Sequence, residues 1–255
     1  MSYDYSKKSG REFSKIAKDY DIGRKSENVE LWCRETKRLA RLIEDSLVLD
    51  LGCGTGLYTI GIGAEADCLI IGLDPVPDML EKARQKSHDV YWLNGTGESL
   101  PLRTGILDCV FSSQVWHHIE DKQSTADECG RTLKKGSAVI IRTMSHAQIH
   151  RKVVFHFFPE IKENQLKVYP SNEDFKRYFS EAGFSSIEFH EYNEERYQSI
   201  EEFVEIAEKK LWSMFRPISP EGLKKGVNEL WLYYKTHNGA PIRNDELITL
   251  VEATK

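Results

Sequence analysis

Residues 48–56 read Val-Leu-Asp-Leu-Gly-Cys-Gly-Thr-Gly, so a mostly apolar run ends in three alternating glycines. Glycine allows positive φ angles and leaves no Cβ in the way of an approaching ligand. The segment that follows is helix-like, so the glycines would join a strand to a helix. At the carboxyl end of a parallel strand, such a turn forms a crevice for a nucleotide-like ligand beside a helix N-terminus that favours anionic groups. The stretch therefore predicts an α/β fold with a ligand at this turn.

Strand-like runs alternate with helix-like segments around this stretch, from about residue 47 to 143. The predicted strands are Leu47–Leu51, Cys68–Leu73, Val90–Leu93, Leu107–Phe111 and Ser137–Arg142, followed later in the chain by Ser185–Glu191 and Leu247–Ala253. The helices between the first five strands are Leu57–Ala66, Asp78–Ser87 and Asp121–Lys135. This alternation predicts βαβ units and a largely parallel sheet that is covered on both faces.

Further helices are predicted outside the alternating region. Apolar residues at three- to four-residue spacing over Val29–Ile43 predict an amphipathic helix that covers the sheet. Another helix begins after Ser171. The insertion between the last two strands contains two helical patterns, Ser199–Phe215 and Ser219–Tyr234. A connection of this length is usually a lid or a binding element, although its apolar stripes could instead pack only against each other and the sheet.

The composition narrows the class of protein. The 255 residues include 40 Asp and Glu against 35 Lys and Arg, which gives a formal net charge of −5 and disfavours non-specific binding to nucleic acid. With 40% hydrophobic and 29% charged residues, the chain reads as a globular protein. No apolar stretch approaches the ~20 residues of a membrane span, and the polar start lacks a signal segment. Five cysteines without a C-x-x-C pair argue against a disulfide scaffold, so we expect a cytoplasmic protein.

Two features describe the ligand more closely. The glycine spacing is G-x-G-x-G, whereas a dinucleotide pyrophosphate loop is usually G-x-G-x-x-G. Asp74 ends the second predicted strand, at the distance expected for an acid that accepts ribose hydroxyl groups. Its alternative role is to cap the next helix, but Pro77 and Asp78 already provide a start for that helix. The residues therefore indicate a ribose-containing ligand.

These motifs together resemble the class I S-adenosylmethionine-dependent methyltransferases, in the branch that acts on small molecules. Residues 48–56 match the first motif of that branch, V-L-D-L-G-C-G-T-G, at every position. The resemblance continues through Gly72–Asp74, Gly95–Pro101, Leu107–Ser113, Trp116–Ile119 and Leu133–Gly136, and residues 13–21 resemble the leader helix. The resemblance implies a Rossmann-like, doubly wound, mostly parallel seven-stranded sheet with helices on both faces and a helical lid insertion.

The same resemblance implies a domain organisation. It predicts a single methyltransferase domain over residues 1–255, with an N-terminal helical leader at 1–45 and a cofactor-binding core at 46–143. Residues 144–170 and 192–246 would be insertions on the substrate side or in the lid. The match is close over about residues 13–143 and loose beyond them.

The resemblance further implies which residues hold S-adenosylmethionine and its product, S-adenosylhomocysteine. Asp50 and the glycine loop would shape the pocket for the methionyl end, and Asp74 would hold the ribose. Residues 96–98 would lie beside the adenine, and the backbone at 112–114 would line the amino-acid moiety. The full expected set is Tyr20, Arg24, Asp50, Gly52, Cys53, Gly54, Gly56, Asp74, Pro75, Met79, Thr96, Gly97, Glu98, Ser112 and Ser113.

Two of these positions carry open questions. Tyr20 and Arg24 would close over the cofactor from the leader, with Arg24 as a partner for its carboxylate, although a solvated surface arginine is the alternative. The family usually has G-D-A-E where this chain has Gly-Thr-Gly-Glu at 95–98. The missing carboxylate usually accepts the adenine amino group, so the Thr96 hydroxyl or a backbone carbonyl would have to replace it.

Transfer of a methyl group from a sulfonium is an in-line displacement, so the protein mainly has to place the two reactants. A base is needed only when the acceptor is protonated and weakly acidic. His117 and His118 follow the fourth strand, at the mouth where an acceptor would enter, and are the candidates for the catalytic base. The alternative is that one of them packs or forms a hydrogen bond beneath the loop.

The segment after the fifth strand is a second candidate region for the acceptor. His150, His156 and Tyr169, together with Arg151–Lys152 and Phe155–Phe158, would form a basic and aromatic wall for an aromatic or acidic small molecule. The alternative is that the phenylalanines only anchor the insertion. No metal is expected, because the histidines lack H-x-x-x-H or H-E-x-x-H spacing.

Three functions are compatible with these residues. The favoured one is methyl transfer to an oxygen, nitrogen or carbon atom of a small molecule. The second is transfer to RNA or to a protein side chain, although no N/D-P-P-Y-type motif follows the fourth strand, where Ser-Ser-Gln-Val stands at 112–115. The third is a protein that binds S-adenosylmethionine without transferring its methyl group.

Overall fold

A computed structural model describes residues 13–14 and 28–255. Its strands are β1 (Leu47–Leu51), β2 (Leu69–Asp74), β3 (Tyr91–Asn94), β4 (Leu107–Ser113), β5 (Leu133–Thr143), β6 (Ser186–Glu194), β7 (Tyr197–Gln198), β8 (Ile242–Arg243) and β9 (Glu246–Thr254). Its helices are α1 (Val29–Ala40), α2 (Leu57–Ala66), α3 (Pro77–Lys86), α4 (Lys122–Thr132), α5 (His146–Arg151), α6 (Val154–Phe157), α7 (Pro159–Val168), α8 (Asn172–Glu181), α9 (Ile200–Glu208) and α10 (Pro220–Thr236). Short 3-10 turns cover Trp116–His118 and Ser213–Phe215.

The strands β1 to β6 and β9 form a seven-stranded sheet in the order β3-β2-β1-β4-β5-β9-β6. The pairs β1–β2, β2–β3, β1–β4 and β4–β5 are parallel. The strand order reverses at β1, which has β2 on one side and β4 on the other, and ligands of α/β sheets bind in the crevice at such a reversal. The prediction of a mostly parallel, seven-stranded α/β fold is confirmed.

The chain divides into two compact units, and the first comprises Met1–Thr143, Asn172–His190 and Leu250–Lys255. Its core is the apolar face of the sheet, covered in part by aromatic residues of α8. The ring of Trp116 lies 5.3 Å from that of Phe179, and Phe175 and Phe179 are both almost fully buried. The same core contains apolar residues of β1, β2 and β4, as expected for parallel strands that are buried on both faces.

The upstream helix is shorter than its apolar pattern. Asn28 caps α1 by accepting the amide of Leu31, and Trp32 is buried on the inner face. The helix ends at Ala40 because Arg41 adopts a left-handed conformation with φ of 53°. Ile43 therefore lies beyond the helix and is 72% exposed, so its assignment to the buried face was wrong.

The boundary between α4 and β5 also differs from the prediction. The helix ends at Thr132 and the strand begins at Leu133, whereas the sequence pattern places residues up to 135 in the helix. Leu133 pairs with Leu107, and the register then shifts so that Cys109 pairs with Ala138. Residues 134–136 lie in this irregular part of the strand. Their side chains do not follow the apolar pattern of a strand, so in the sequence they resemble the polar end of a helix.

The second unit comprises Met144–Ser171 and Glu191–Thr249. Its own core contains aromatic residues from α6, α9 and the second 3-10 turn, among them Phe155 and Phe203. Ser199 and Ser219 cap α9 and α10 as their sequence signals indicate. The first inserted helix ends at Glu208, not at Phe215, and Lys210 then has a positive φ of 50°.

The predicted insertions at 144–170 and 192–246 fall within this second unit. Their role as a lid stays a prediction, as does the description of residues 1–255 as one domain. In the part of the chain that the structure describes, no helix is long and apolar enough to cross a membrane.

Candidate active site

A cavity of about 320 Å³ lies in the first unit, where β1, β2 and β4 end. Its walls come from the turns that follow the first four strands. The lining residues are Phe13, Asp50, Leu51, Gly52, Cys53, Gly54, Thr55, Leu57, Tyr58, Leu73, Asp74, Pro75, Val76, Met79, Gly95, Thr96, Gly97, Glu98, Ser113, Gln114, Val115, His118, Ile119 and Glu120. The cavity thus occupies the crevice that the strand order predicts.

The glycine loop after β1 is held against the end of β2. Gly52, Gly54 and Gly56 have φ angles of 76°, 55° and 81°. The amide of Gly52 donates to the carbonyl of Leu73 over 2.7 Å, and the amide of Gly54 donates to Oδ2 of Asp74 over 2.8 Å. Positive φ angles permit these bonds, and glycine adopts such angles without strain.

Two backbone amides fix the carboxylate of Asp74. The amide of Gly54 donates to one oxygen and the amide of Val76 donates to the other, each over 2.8 Å. Asn94 also donates from its side-chain nitrogen to the Asp74 carbonyl over 2.9 Å. Burial raises the pKa of Asp74, although the two amides act to lower it. The carboxylate therefore both organises the turn before α3 and lines the cavity.

At the end of β1, Asp50 is almost fully buried, lines the cavity and accepts the Thr59 hydroxyl over 2.6 Å. Ser112 is fully buried and does not line the cavity, and its hydroxyl donates to the Leu51 carbonyl over 3.0 Å. Ser113 lines the cavity one residue later. The ends of β1 and β4 are thus connected by a buried side-chain bond.

The predicted adenine side of the cavity combines tight and apolar walls. Thr96 and Glu98 line it, and a Cβ on Gly97 would lie 2.7 Å from the Thr125 methyl carbon, so only glycine fits there. Pro75 and Met79 line the same cavity after β2. Pockets for small ligands are mostly lined by apolar side chains of this kind.

The two adjacent histidines occupy different environments. His118 lines the cavity, and its ring meets the edge of Phe13 at a centroid distance of 5.2 Å. His117 does not line the cavity, although its ring centroid lies 4.0 Å from that of His118. Burial lowers the pKa of His117 well below 6.5, so its imidazole is neutral at neutral pH. This placement corresponds to the alternative in which one histidine packs beneath the loop.

Cys53 lines the cavity within the glycine loop and is 8% exposed. Burial raises the pKa of its thiol well above 9.0, and the charges of Asp50 and Asp74 raise it further. The side chain is therefore a protonated thiol at neutral pH.

Not every predicted residue reaches the cavity. Gly56, Ser112 and His117 lie outside its lining, and the other predicted residues among those described line it. Tyr20 and Arg24 lie outside the described residues. Their proposed closure over the cofactor stays a prediction.

The segment predicted to form a basic and aromatic wall belongs to the second unit. Phe155 and Phe158 are buried in the core of that unit, as in the alternative in which they anchor the insertion. His150 and His156 are exposed, and Tyr169 is buried in the same core. A role of this segment toward the acceptor stays a prediction.

One side-chain cluster outside the cavity has the composition of a metal site. The ligand atoms of Glu188, His190 and Glu252 lie within 4.8 Å of one another, on β6 and β9. The imidazole of His190 is already hydrogen-bonded to Glu252 over 2.9 Å. The cluster takes no part in the site described above.

Sequence reasoning missed residues that position the loop without carrying a recognisable motif. Thr59 binds Asp50, and Val115 lies so close to Gly52 that an added Cβ would be 2.4 Å from its methyl carbon. Trp92 lies against Gly72 and Gly56. The sequence signal for Trp92 was Gly72, a glycine within the apolar run of β2, because a glycine inside a strand marks the close approach of a neighbouring group.

Comparisons with known proteins agree with this geometry. Residues 49–141 match the family described as "Methyltransferase domain". A demethylmenaquinone methyltransferase of Lactococcus lactis is 28% identical over 208 residues, which cover 69% of this chain and 82% of the relative. A tRNA (carboxymethyluridine(34)-5-O)-methyltransferase of Xenopus tropicalis is 29% identical over 137 residues, which cover 52% of this chain but only 21% of that relative's length.

Solved structures share the fold. A protein of Anabaena variabilis, assigned to an antibiotic biosynthesis pathway as a methyltransferase, superposes with a TM-score of 0.70 at 18% identity, over 88% of this chain and 96% of the other. Phosphoethanolamine N-methyltransferase 2 of Haemonchus contortus, solved with phosphomonomethylethanolamine and S-adenosylhomocysteine, superposes with a TM-score of 0.55 at 20% identity, over 88% and 52% of the two chains. The family match falls on the strands and turns that surround the cavity, so residues 49–141 form a methyltransferase domain. Together with the relatives and the shared fold, this match supports a class I S-adenosylmethionine-dependent methyltransferase, an enzyme whose cofactor is S-adenosylmethionine.

Proposed function

We propose that the enzyme methylates a small molecule at an oxygen, nitrogen or carbon atom, and that His118 acts on the acceptor as a general base. The observation that carries the proposal is that one cavity contains both the fixed carboxylate of Asp74 and the imidazole of His118. The relative from Lactococcus lactis, named as a demethylmenaquinone methyltransferase and matched over most of its length, also supports a small aromatic acceptor.

The residues of the cavity fit an adenosyl sulfonium compound. Gly52 and Val115 both line the cavity, and a Cβ on Gly52 would lie 2.4 Å from Val115, so a larger residue at 52 would displace the cavity wall. Asp74 offers a carboxylate to a ribose, and Asp50 offers a second negative charge to the cationic methionyl end. The volume of about 320 Å³ is that of a small-ligand pocket.

S-adenosylmethionine supplies a methyl group on a sulfonium, which an acceptor nucleophile displaces in line. The protein therefore has to hold two reactants in line and exclude competing water. Correct placement of reactants accounts for about 7–11 kcal/mol of barrier lowering in well-oriented systems. The fixed loop and the paired carboxylate of Asp74 provide that placement on the donor side.

On the acceptor side, the imidazole of His118 contacts two other rings. The ring of Phe13 meets it edge-on at an interplanar angle of 89°, and the centroid of the His117 ring lies 4.0 Å from that of His118. The neutral His117 places no positive charge beside His118. His118 is thus the candidate to remove the proton that a hydroxyl or amine acceptor loses on methylation.

The charge of the cavity favours an uncharged aromatic acceptor over an acidic one. Among the described lining residues, four carboxylates are present, namely Asp50, Asp74, Glu98 and Glu120, and neither lysine nor arginine occurs. An anionic acceptor would be repelled by these groups, whereas a neutral phenol or quinol would not.

Replacement of His118 by alanine is expected to slow methyl transfer about 100-fold or more, while the dissociation constant of S-adenosylhomocysteine changes less than about threefold. Rates would be measured with the acceptor found in the panel below, and affinity by calorimetry. His88→Ala, an exposed histidine outside the cavity, is the matched control. An unchanged rate in H118A would remove His118 from the reaction.

The class of acceptor can be tested with S-adenosylmethionine carrying a tritiated methyl group. We expect label in an organic extract from reactions with neutral phenols and quinols, and little from the same rings bearing a carboxylate. The Xenopus tropicalis relative, named as a tRNA methyltransferase, makes RNA the second candidate. Label recovered only in acid-precipitable tRNA would replace the small-molecule proposal with that one.

A further inference from the structure

We propose that Trp92 and Lys86 position the cofactor loop from outside the cavity and thereby set the affinity for S-adenosylmethionine. Neither residue lines the cavity. They belong to β3 and to the end of α3, on the edge of the sheet where β2 and β3 pair. The inference concerns the donor side alone and does not depend on the identity of the acceptor.

The indole of Trp92 lies against two glycines. Trp92 is the register partner of Gly72 in the parallel pair of β2 and β3. A Cβ on Gly72 would lie 2.5 Å from the indole, and a Cβ on Gly56 would also lie 2.5 Å from it. The ring nitrogen donates to the carbonyl of Ser87 over 3.1 Å, which fixes the plane of the indole. The ring therefore spans from the middle of β2 to the last glycine of the loop.

The cavity-lining thiol of Cys53 lies on the same side of Gly72 as the indole. A Cβ on Gly72 would lie 3.0 Å from Sγ of Cys53, in addition to its overlap with Trp92. The indole and the thiol thus meet over Gly72, where a larger side chain would push them apart. Any change in the size of Trp92 is transmitted directly to the loop at Cys53 and Gly56.

Lys86 adds a polar contact to the same loop. Its ammonium group donates to the carbonyl of Thr55 over 2.9 Å, and Thr55 is almost fully buried and lines the cavity. The loop is therefore held from three directions. Asp74 and Leu73 bind its amides, Lys86 binds a carbonyl, and Trp92 blocks movement of Gly56 away from the ligand.

The physical effect of this arrangement is preorganisation. A loop with three glycines loses more conformational entropy when it becomes ordered than a loop of other residues. If the loop were not already ordered in the free enzyme, binding would have to supply that ordering free energy, and affinity would fall. Trp92 and Lys86 order it in advance.

The test compares Trp92→Ala with Trp92→Phe in the full-length enzyme, with S-adenosylhomocysteine as the calorimetric probe. We expect Trp92→Ala to raise its dissociation constant at least about tenfold and Trp92→Phe to stay within about threefold of the wild type. Amide hydrogen exchange of residues 52–56 in the free enzyme should accelerate in Trp92→Ala. Tyr91→Ala, an exposed neighbour on β3, is the matched control and should change neither quantity.

Lys86→Met provides an independent variant, because Lys86 is exposed and its replacement leaves the core intact. We expect it to raise the same dissociation constant about threefold. Lys82→Met, on the same helix, should not change it. The proposal is overturned if a folded Trp92→Ala binds S-adenosylhomocysteine within twofold of the wild type, or if Lys86→Met and Lys82→Met behave alike. Should Trp92→Ala not fold, the Lys86 pair and the exchange of residues 52–56 in Lys86→Met decide the question.

Discussion

Replacement of Asp74 by alanine is expected to abolish measurable binding of S-adenosylmethionine. The carboxylate lines the cavity and is already oriented by the amides of Gly54 and Val76, so its remaining lone pairs are available to two ribose hydroxyls. Hydrogen bonds to a charged group contribute about 1.5–3 kcal/mol each, so loss of two weakens binding at least about 100-fold. Calorimetry with S-adenosylhomocysteine measures the effect.

Two variants separate this effect from damage to the fold. Asp74→Asn keeps an acceptor for one amide and should still lose most of the affinity, because the charge is gone. Asp78→Asn changes an exposed carboxylate four residues later and should bind normally. Uptake of the cofactor by a folded Asp74→Ala protein at wild-type affinity would contradict the assignment of the ribose site.

The same carboxylate predicts how affinity depends on pH. Burial raises the pKa of Asp74 above its ordinary value of 3.8, and the ionised form is the one that accepts ribose hydroxyls. Affinity should therefore decline as the pH falls through this raised pKa, with uptake of a proton when the cofactor dissociates. The decline should be absent in Asp74→Asn, whose side chain does not titrate.

Replacement of Gly52 by alanine is expected to weaken cofactor binding at least about tenfold and to lower the melting temperature. The new Cβ would lie 2.4 Å from a methyl carbon of Val115, at a φ of 76° that side chains rarely adopt. Left-handed backbone costs about 1–2 kcal/mol for a non-glycine residue, and overlap in a packed region costs about 1–3 kcal/mol more. Calorimetry and thermal unfolding measure the two effects.

Gly105→Ala is a control with the same backbone strain and no overlap. Gly105 has a φ of 67°, and nothing lies within 4 Å of a Cβ placed there. It should lose stability but not affinity. Adding Val115→Ala to Gly52→Ala removes the two methyl carbons that overlap the new Cβ and should recover part of the affinity. Equal loss of affinity in the variants at 52 and 105 would show that overlap with Val115 is not the cause.

The donor side of the site could be predicted from the sequence because its signals are local. The three glycines, the apolar run before them and Asp74 after the next strand determine a turn, a ligand crevice and an acid at its edge. Each of these depends on backbone conformation over a few residues. The sheet could be predicted for the same reason, since its strands are short apolar runs separated by helices.

Other features depend on contacts between distant residues, which a single sequence does not show. Residue type and spacing do not distinguish His117 from His118, because the direction of each ring depends on what lies beneath the loop. The contact of Trp92 with the loop depends on its register with Gly72, which the sequence alone does not show. The start of β5 at Leu133 was missed because the bulge opposite Leu107 places lysines within a strand.

In the second unit, the helices could be predicted from the sequence, whereas the role of the aromatic residues could not. Its helices could be located from Ser199 and Ser219, because a cap is a local signal. The aromatic residues Phe155 and Phe158 could equally have lined a pocket or filled a core, and hydrophobicity alone does not separate the two. Only the packing shows that they are buried in the core of that unit.

The protonated state of Cys53 bears on the durability of the enzyme during turnover. A methyl sulfonium is an alkylating agent, and this sulfur lines the cavity that receives it. Thiolates react with alkylating agents far faster than thiols do, and burial beside two carboxylates keeps this group in the thiol form. The environment that shapes the loop thus also protects the protein against methylating itself.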